Sequence, residues 1–528
     1  MGTSLLAAAG TAAVVTVAPT AAATAARAAT YPSTLCDKYC DARDPALAAG
    51  DRIGDTDVFD GRKVALHFDD ADNMAWASID SGTPGDQVWM DRSFDGGYDW
   101  SPYGSKLGAT TIPAGDTGWR TEMYNLDQWS TTDPLEGVVR ACGQTGSTVS
   151  CTPWARTTWN AANNQRAAAT ALMEYYDPGT KLFDHSAVGS ASAGWWNSAN
   201  DLTALIDDIR VTKMASYESA IGWTYSANKP AGVSFDTYGD FKNTYMDDTG
   251  WWAMTWIDAY QLTGNTSYLA TAEDDANWMA QHWTSLCGGG VVWSIASGVA
   301  PYKNAVTNEL YLYVNATLHN LISGDTTYLN RAEQEWTWFA QSGMINSSNL
   351  INDGLDSSCA NNGGYTWTYN QGVVLEGLTA LYQATGDNSY LSEATTLADA
   401  STTSSTLNPV SSTAPKGELA DPASDVSSGD VPVFKGAYIR GLTELNDTTG
   451  QYDCYLDRTS AVAYLNDRNP ADQYGYGWAG PWSSTAQNGP DQPTASQQGA
   501  ALFLANGGTA FTSPSDPAVT SALNCTGG

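Results

Sequence analysis

Three stretches of the sequence repeat one turn pattern: Gly264-Asn265-Thr266-Ser267-Tyr268-Leu269, Gly324-Asp325-Thr326-Thr327-Tyr328-Leu329 and Gly386-Asp387-Asn388-Ser389-Tyr390-Leu391. A degenerate fourth copy begins at Gly450. Successive turn glycines are 60, 62 and 64 residues apart, and each turn lies between two runs with helical periodicity. We expect the glycine to end one helix and the Ser or Thr after it to cap the next. The repeating unit is therefore a helical hairpin of about 62 residues.

The length of the remaining chain predicts how many hairpins there are. Residues 156–528 have room for about six. Six hairpins that close on themselves form an (α/α)6 barrel, whereas an open row forms a linear solenoid, and the count of six favours the barrel. In residues 31–155 the pattern changes, because Val64, Leu66 and Phe68 alternate with other residues as in β-strands. The predicted fold is an all-α (α/α)6 barrel domain over residues 156–528, preceded by a smaller all-β, sandwich-like accessory domain over residues 31–155.

Charge and the N-terminal segment narrow the class of protein. The chain has 24 Lys and Arg against 57 Asp and Glu, a formal net charge of −33. Such a chain repels phosphate backbones and anionic lipids, so nucleic acid and membrane surfaces are poor partners and a neutral ligand is favoured.

Leu5 to Ala18 is an apolar run followed by Ala26-Arg27-Ala28, a pattern typical of secretory signal peptides, although no basic residue precedes Arg27. We expect a signal peptide over residues 1–28 and a secreted, extracellular protein without a membrane span.

The cysteines fit an exported protein. There are eight of them: Cys36, Cys40, Cys142, Cys151, Cys287, Cys359, Cys454 and Cys525. An even number in an exported chain favours disulfides, and the sequence leaves the pairing open while favouring Cys142–Cys151 and Cys287–Cys359. The chain has only four histidines and no second cysteine pair at zinc spacing, so we predict neither a metal site nor a cofactor.

Polar residues recur about one helix length before each turn glycine, where the helix that enters the turn begins. These positions hold Asp247-Asp248, Asn308-Glu309, Asn370-Gln371 and Lys435-Gly436. We expect the four clusters to ring one end of the barrel. Aromatic residues, whose faces stack on sugar rings, are frequent in the same segments: Tyr245, Trp251, Trp252, Trp293, Tyr302, Trp367, Tyr369 and Phe434. The sequence therefore predicts a polar, aromatic-lined cleft for a neutral polysaccharide.

Asp247 and Asp248 are the candidate catalytic pair. Hydrolysis of a glycosidic bond usually needs two carboxyl groups, one that protonates the leaving oxygen and one that attacks the anomeric carbon or activates water. Repulsion between adjacent carboxylates raises one pKa relative to the other, and adjacency favours the short separation of retaining enzymes. Three other acidic pairs are interpreted as a strand end or turn (Asp69-Asp70) and as solvated helix faces (Asp207-Asp208 and Asp274-Asp275).

The stretch Tyr245-Met246-Asp247-Asp248-Thr249-Gly250-Trp251-Trp252 resembles the Y-x-D-D-x-G-W-W signature of glycoside hydrolase family 76. The resemblance covers about residues 159–445, with a looser tail beyond, and residues 31–155 lie outside it. Further motifs follow in the order of the family: Gly288-Gly289-Gly290, residues 302–310, residues 351–356, residues 367–372 and Phe434-Lys435-Gly436.

This resemblance implies an endo-acting α-1,6-mannanase with an (α/α)6 fold and a retaining mechanism, in a family that includes fungal cell-wall transglycosylases. Matched by position, Asp247 is the nucleophile and Asp248 the general acid/base. The candidates for binding substrate are Trp251, Trp252, Tyr302, Asn304, Asn308, Glu309, Asp353, Tyr369, Asn370, Gln371 and Lys435. The implied partner is α-mannan polysaccharide or a mannose-rich glycolipid, and we expect a monomer.

Other functions fit the sequence less well. A terpene-cyclase-like barrel needs a D-D-x-x-D motif, but Asp247-Asp248 is followed by Trp251 at the corresponding place. A Ser-His-Asp hydrolase is disfavoured because no G-x-S-x-G motif occurs. The alternative that stays open is a mannan-binding or transglycosylating protein of the same fold, since sugar stacking alone would explain the aromatic residues and a sugar can replace water as acceptor.

Overall fold

The computed structural model describes residues 34–36, 38–94, 97, 100, 104–127, 137–157, 163–177, 179–214, 217–233, 238–423, 429–469, 472–482 and 493–525. The predicted signal peptide, residues 1–28, lies outside the described residues. Among the helices that are described, none combines the length and the apolar character needed to cross a bilayer.

The N-terminal region is built from strands, as predicted. They are β1 (Arg52–Phe59), β2 (Arg62–Asp69), β3 (Met74–Asp80), β4 (Gln87–Ser93), β5 (Leu107–Thr111), β6 (Trp119–Arg120), β7 (Tyr124–Asn125), β8 (Val138–Thr145) and β9 (Thr148–Cys151). One sheet has the order β1-β2-β3-β6 with β7 also paired to β3, and the other has the order β5-β4-β8-β9. The strand pairs named here are antiparallel.

The alternating residues of β2 form the core of this region. Val64, Leu66 and Phe68 are at most 1% exposed, and they pack with apolar residues of β3, β4 and β8 such as Ile79 and Val88. Leu66 lies opposite a residue of β3 in the ladder, so the sheet register presents the apolar face of both strands to the second sheet. The period-two pattern therefore identified the buried face correctly.

The rest of the described chain is helical. Its helices are α1 (Asn164–Met173), α2 (Trp195–Thr212), α3 (Glu218–Asn228), α4 (Met246–Thr263), α5 (Thr266–Gln281), α6 (Ala305–Leu321), α7 (Thr327–Ser342), α8 (Thr368–Thr385), α9 (Asn388–Thr403), α10 (Val431–Thr449), α11 (Asp453–Asn466), α12 (Ala495–Gly507) and α13 (Pro517–Asn524). The predicted alternation of helix and turn is confirmed.

Six of these helices pack in succession. Helix α2 contacts α4, α4 contacts α6, α6 contacts α8, α8 contacts α10, α10 contacts α12, and α12 contacts α2, so the series of contacts returns to its start. The six are buried around most of their circumference, whereas α7 buries one stripe, at Tyr328, Ala332, Glu335 and Phe339. That three-to-four residue spacing is typical of a helix with one face in the core. Helices α5, α7 and α9 each pack against the helix that precedes them.

Three of the four turn glycines behave as predicted, but the caps do not. Gly264, Gly386 and Gly450 end α4, α8 and α10 in the left-handed conformation, with φ of 71°, 70° and 64°. Gly324 does not end its helix, because α6 already ends at Leu321. Helices α5 and α9 are capped by the side chain immediately after the glycine: Asn265 accepts from the Ser267 N–H and Asp387 from the Ser389 N–H. The expectation that Ser or Thr caps these helices is wrong, because the longer Asn and Asp side chains reach the free backbone donors one residue earlier.

All eight cysteines form disulfides. The pairs are Cys36–Cys40, Cys142–Cys151, Cys287–Cys359 and Cys454–Cys525, so both favoured pairings are confirmed. The disulfide Cys287–Cys359 joins the loop between α5 and α6 to the loop between α7 and α8.

Candidate active site

The candidate catalytic pair lies at the start of α4. Asp247 and Asp248 occupy the second and third positions of this helix, where free backbone N–H groups favour negative charge. The apolar residues that follow them, including the fully buried Trp252 and Trp256, fix the helix in the core. As whole residues both are partly exposed at the helix end, while the surrounding protein desolvates their carboxyl groups.

Hydrogen bonds hold Asp247 in place. Its Oδ2 accepts from the Trp293 indole N–H at 2.8 Å and from the Asn304 amide at 3.4 Å, and its Oδ1 accepts from the Asp248 backbone N–H at 3.1 Å. Burial raises the pKa of Asp247 to about 7, and these hydrogen bonds oppose that rise because they stabilise the carboxylate. Asp247 is thus oriented and able to ionise near neutral pH.

Asp248 has a different environment. Its side chain forms no hydrogen bond with any residue in the described part of the chain. Burial, followed by the negative charges of Asp247 and Asp430, raises its pKa well above the ordinary value. With no donor to stabilise the carboxylate, Asp248 keeps its proton more strongly than Asp247 does. Two adjacent carboxyl groups therefore differ as a nucleophile and an acid should.

A second cluster contains Asp353. Its Oδ2 accepts from the Tyr302 hydroxyl at 2.5 Å and its Oδ1 from the Tyr369 hydroxyl at 3.4 Å, while the amide of Asn362 donates to the Tyr302 oxygen at 2.8 Å. Burial raises the pKa of Tyr369 well above its ordinary value, and the charges of Asp353, Asp247 and Glu309 raise it further. Tyr369 is therefore a neutral hydroxyl between the Asp247 and Asp353 clusters.

Glu309 and Asn370 are buried with unused hydrogen-bonding capacity. Both are fully buried in α6 and α8, and neither carboxyl oxygen of Glu309 nor either amide atom of Asn370 has a partner among the described residues. Burial and the charges of Asp353, Glu335 and Glu376 raise the pKa of Glu309 well above its ordinary value. Because buried polar atoms are nearly always paired, these four atoms indicate a place where water or a hydroxyl-rich ligand is accommodated.

Trp196, which the sequence did not single out, belongs to the same end of the helices. Its indole N–H donates to Asp430 at 3.0 Å, and its ring stacks on Trp251 with centroids 5.6 Å apart. Trp196 is partly exposed while Trp251 is 4% exposed, so Trp196 offers the more open ring and Trp251 supports it from behind. Phe434 lies 6.2 Å from Trp196 and 4.3 Å from Tyr369, which joins the aromatic cluster to Tyr369 and Asp353.

The sequence signal for Trp196 was the adjacent pair Trp195-Trp196 at the start of α2, which parallels Trp251-Trp252 in α4. It was missed because α2 is not followed by a recognisable copy of the turn motif. Asp430, the residue just before α10, was missed because the motif recognised in this segment begins only at Phe434.

One repeated contact explains part of the polar pattern. In five of the six successive helices, the fourth residue has a side-chain oxygen that accepts a hydrogen bond from the backbone of the loop before the helix. The pairs are Ser198 with Phe183 at 3.2 Å, Thr249 with Asn243 at 2.9 Å, Asn308 with Val291 at 2.7 Å, Gln371 with Ile351 at 2.8 Å, and Gln498 with Tyr474 at 2.8 Å. In the sixth helix, α10, the fourth residue is Phe434.

Four of the predicted substrate contacts have side chains that are engaged elsewhere in the structure. Asn308 and Gln371 use both the oxygen and the nitrogen of their amides on loop and helix backbone. Lys435 is 2% exposed, donates to the backbone oxygen of Tyr476, and lies 3.9 Å from the centre of the Trp478 ring. Trp252 is fully buried against Phe241 and Trp256. The sequence singled out these positions because their residues are polar or aromatic, but in the structure their side chains support the loops and the core.

The remaining candidates meet at one end of the helices. Contacts, stacking or electrostatic interactions link Asp247 and Asp248 with Tyr302, Asn304, Glu309, Asp353 and Tyr369. Trp251 is connected to Asp248 through Trp196 and Asp430. Tyr302 reaches Asp247 through Trp293, whose ring centroid is 6.2 Å from that of Tyr302.

Two acidic pairs interpreted as solvated helix faces are largely buried. Asp208 and Asp275 are fully buried, and burial raises the pKa of Asp208 to about 7, while Asp274 alone is exposed. Neighbouring helical residues point about 100° apart, so a pair at the edge of a buried face places one member in the core.

A comparison with protein families decides the assignment. Residues 157–513 match the family model described as glycosyl hydrolase family 76. The chain belongs to glycosyl hydrolase family 76. This result confirms the family resemblance drawn from the Tyr245–Trp252 signature.

Curated relatives are similar over part of their length. "Mannan endo-1,6-alpha-mannosidase DFG5" of Saccharomyces cerevisiae is 27% identical over 227 residues, which cover 40% of this chain and 49% of that protein. "Mannan endo-1,6-alpha-mannosidase DCW1" of the same yeast is 31% identical over 156 residues, or 27% of this chain and 34% of that protein. The chain spans about half the length of the first of these curated relatives.

Solved structures of family 76 share the fold. The GH76A α-1,6-mannanase of Salegentibacter sp. HEL1_6 aligns with a TM-score of 0.54 at 22% identity, covering 65% of this chain and 97% of that one. A variant of the same enzyme described as inactive, with two adjacent aspartates replaced by alanine, was solved in complex with α-1,6-mannotetrose and aligns with a TM-score of 0.54 at 21% identity, covering 65% and 97% of the two chains.

Proposed function

We propose that this protein is a secreted glycosidase that cleaves internal α-1,6-mannosidic bonds of mannan with retention of configuration. The observation that carries the proposal is the difference between two adjacent carboxyl groups: Asp247 is held by Trp293 and Asn304, and Asp248 has no such donor. Family membership, the names of the curated relatives and the mannotetrose complex of an inactivated family member support the same substrate class.

The proposed reaction proceeds in two displacements. In the first, a carboxylate oxygen of Asp247 attacks the anomeric carbon while Asp248 gives its proton to the departing O6 of the next mannose, so the glycosidic bond breaks and a mannosyl ester forms. In the second, Asp248 takes a proton from water as the water oxygen displaces Asp247. The hydrogen bonds to Asp247 fix its orientation, and the raised pKa of Asp248 supplies the acid.

The unused polar atoms and the neutral hydroxyl have roles in binding. Glu309 and Asn370 offer acceptors and donors for sugar hydroxyls, and Asp353 with its two tyrosines binds a further hydroxyl group. Trp196 provides a ring on which a mannose can stack. A hydroxyl-rich, uncharged substrate matches these groups, because an anionic sugar would meet the carboxyl groups at close range.

We also propose that the six successive helices form the inner layer of an (α/α)6 barrel whose site lies at their N-terminal ends, and that the strands of residues 31–155 form an accessory domain. The contacts from α2 through α12 and back to α2 support closure. Four disulfides among all eight cysteines support export. We propose that the enzyme acts as a monomer.

Digestion of linear α-1,6-mannan tests the activity and its stereochemistry. Residues 29–528 are incubated with the polymer, early products are sized, and the configuration of the new reducing ends is read by NMR before mutarotation. We expect a ladder of oligosaccharides that are initially α-configured. Binding without cleavage would instead support the mannan-binding alternative, and elongated products would support transglycosylation.

A substrate with an activated leaving group separates the two carboxyl roles. Asp248→Ala should lose activity on mannan but retain cleavage of a 2,4-dinitrophenyl α-1,6-mannotrioside, because that phenolate leaves without a proton. Asp247→Ala should cleave neither substrate, since no nucleophile remains. The roles would be reversed if the Asp247 variant, and not the Asp248 variant, cleaved the aryl glycoside.

A further inference from the structure

A second cleft lies in the β-strand region, apart from the candidate active site. It has a volume of about 910 Å³ and is lined by residues of β3, β5 and β6 together with residues 44–45 and 121–122. The strands β5 and β6 are edge strands of the two different sheets, so the cleft opens where the two sheet edges approach each other. Its size is within the range of about 300–1,000 Å³ that small-molecule sites occupy.

Trp119 is the main aromatic residue of this cleft. It is 44% exposed, although its backbone is fixed by antiparallel pairing with Ile79 of β3. The neighbouring Gly118 allows β6 to come close to β3, because a Cβ at this position would lie 2.8 Å from a carboxyl oxygen of Asp80 and 3.0 Å from the backbone oxygen of Ile79. The indole is therefore held on a rigid edge beside a carboxyl group, and little conformational freedom is lost when a ligand stacks on it.

Polar groups surround the indole on several sides. Asp44, Asp80 and Glu122 are exposed carboxyl groups in the cleft lining, and Arg120 pairs with Asp44 at 3.2 Å. Among the described strands, β5 pairs with β4 alone, and its residues Gly108, Ala109 and Thr110 line the cleft. An aromatic face flanked by several acceptors and donors matches a pyranose, whose C–H face stacks while its hydroxyl groups form hydrogen bonds.

We propose that this cleft is a second carbohydrate-binding site, which takes a segment of a neutral polysaccharide. Its three carboxyl groups outnumber the single guanidinium, which Asp44 already pairs, so an anionic chain would be repelled. A purely apolar ligand would leave these carboxyl groups desolvated without partners. A neutral sugar satisfies both conditions, because each hydroxyl group can donate to a carboxylate.

Such a site changes how the protein engages a polymer. Two sites on one chain that bind the same polysaccharide raise the effective concentration of substrate at the catalytic site. The choice of mannan as the first probe rests on the proposed function, whereas the cleft itself is argued from its own residues. The experiment therefore includes other neutral polysaccharides.

Affinity electrophoresis tests the proposal. The Asp247→Asn/Asp248→Asn double variant is run through native gels that contain linear α-1,6-mannan, β-1,3-glucan or xylan, so that no polymer is consumed and any binding at the active site is a constant background. Adding Trp119→Ala should weaken the apparent affinity for at least one polymer about tenfold, as loss of a central aromatic contact does at other interfaces. Trp119→Phe, which keeps an aromatic face, should restore most of the retardation.

The control is Val149→Ala on β9, an exposed residue at the opposite edge of the second sheet. It should migrate like its parent in every gel, and circular dichroism should show that all variants are folded. Equal migration of the Trp119→Ala variant and its parent in all three gels would overturn the proposal. Trp119-dependent retardation by glucan or xylan but not by mannan would support the cleft as a sugar site while counting against mannan as the protein's polymer.

Discussion

Two regions within the same six helices differ in whether their buried polar side chains have partners. At the N-terminal ends, Asp248, Glu309 and Asn370 have polar atoms without partners among the described residues. Deeper in the helices, Arg440 of α10 forms ion pairs with Asp258 of α4 at 2.9 Å and with Glu376 of α8. The comparison teaches that burial of an acid alone does not identify a catalytic group, and that the partners of the acid and its place at the helix ends have to be considered together.

The Arg440 cluster has the arrangement of a structural element. Arg440 also contacts Glu444 of its own helix at 2.9 Å, Asp207 of α2 at 3.4 Å and the Tyr313 hydroxyl of α6 at 3.2 Å. The guanidinium therefore joins five of the six successive helices. Burial lowers the pKa of Arg440, but the surrounding acids outweigh it and the net shift is upward, so the charge is always present.

The largest expected effect is on catalysis at the unpaired end, the N-terminal ends of the helices where Asp248, Glu309 and Asn370 lie. Asp247→Asn keeps the shape of the side chain but removes the nucleophile, and we expect hydrolysis of mannan to fall by about 10⁴-fold or more. Initial rates on linear α-1,6-mannan measure this loss. A residual rate within tenfold of the parent would show that Asp247 is not the nucleophile.

The same variant should be more stable above neutral pH. Burial raises the pKa of Asp247 to about 7 in the folded state, so the folded protein binds this proton more tightly than the unfolded chain does. Stability from this group is therefore present at low pH and is lost as pH rises toward 7. Asp247→Asn removes that loss, and its unfolding midpoint in denaturant should exceed that of the parent at pH 8 but match it at pH 3.5.

The next largest effect is expected for the Arg440 cluster. Arg440→Met leaves Asp258 and Glu376 buried without their cation, and we expect the free energy of unfolding to fall by about 3–5 kcal/mol. Equilibrium denaturation monitored by circular dichroism measures the change. Arg120→Met is the matched control, because that arginine is 46% exposed in a surface pair with Asp44 and its loss should cost about 1 kcal/mol or less. Equal costs for the two variants would remove the distinction between the regions.

A smaller effect is expected for Asn370→Leu at the unpaired end. Leucine keeps the volume and removes two polar atoms that no described residue uses, so stability should stay the same or rise. If these atoms bind a sugar hydroxyl, kcat/KM on α-1,6-mannotetraose should fall about 10- to 100-fold.

Asn315→Leu provides the contrast for that variant. Asn315 is also fully buried and lies further along α6; its amide nitrogen donates to the Tyr311 backbone oxygen at 2.7 Å, while its Oδ1 has no partner among the described residues. Its replacement removes one hydrogen bond far from the helix ends, so kcat/KM should change little. An Asn370 variant that loses stability but not activity would place this residue among the structural groups.

The sequence predicted the helical repeat and singled out the Asp247-Asp248 pair because both patterns are local. A left-handed glycine at each turn and a helix-sized interval between motifs are readable from residue order alone, as Gly264 and Gly386 show. The direction in which each polar side chain points could not be predicted from the sequence. Asn308 and Glu309 are adjacent in α6, yet one binds the loop backbone and the other has no partner, since a rotation of about 100° separates them.

Contacts between distant segments were the other limit. Trp196 belongs to the site because α2 packs beside α4, and Asp430 belongs to it because the start of α10 lies next to α2. Neither contact can be recognised from the sequence of its own segment. The place of Lys435 in the repeat predicted that it belongs to the site, but the buried rings of Tyr476 and Trp478 lie against it. Tertiary packing decided these three cases.

The smallest expected effect is a shift in the pH profile. The Trp293 indole N–H stabilises the Asp247 carboxylate, so Trp293→Phe should raise the pKa of Asp247 further. Asp247 must be ionised to attack, and the acid limb of kcat/KM should therefore move to higher pH, by about 0.5–1 unit for one hydrogen bond. Trp278→Phe is the control, because that indole donates to the Asn243 backbone oxygen at 3.0 Å and not to Asp247. Profiles measured from pH 5 to 9 on α-1,6-mannotetraose compare the variants. An acid limb that moves equally in both variants, or in neither, would mean that the Trp293 indole does not set the ionisation of Asp247. The difference between Asp247, which accepts hydrogen bonds, and Asp248, which accepts none from the described residues, would then rest on Asn304 and the helix backbone alone.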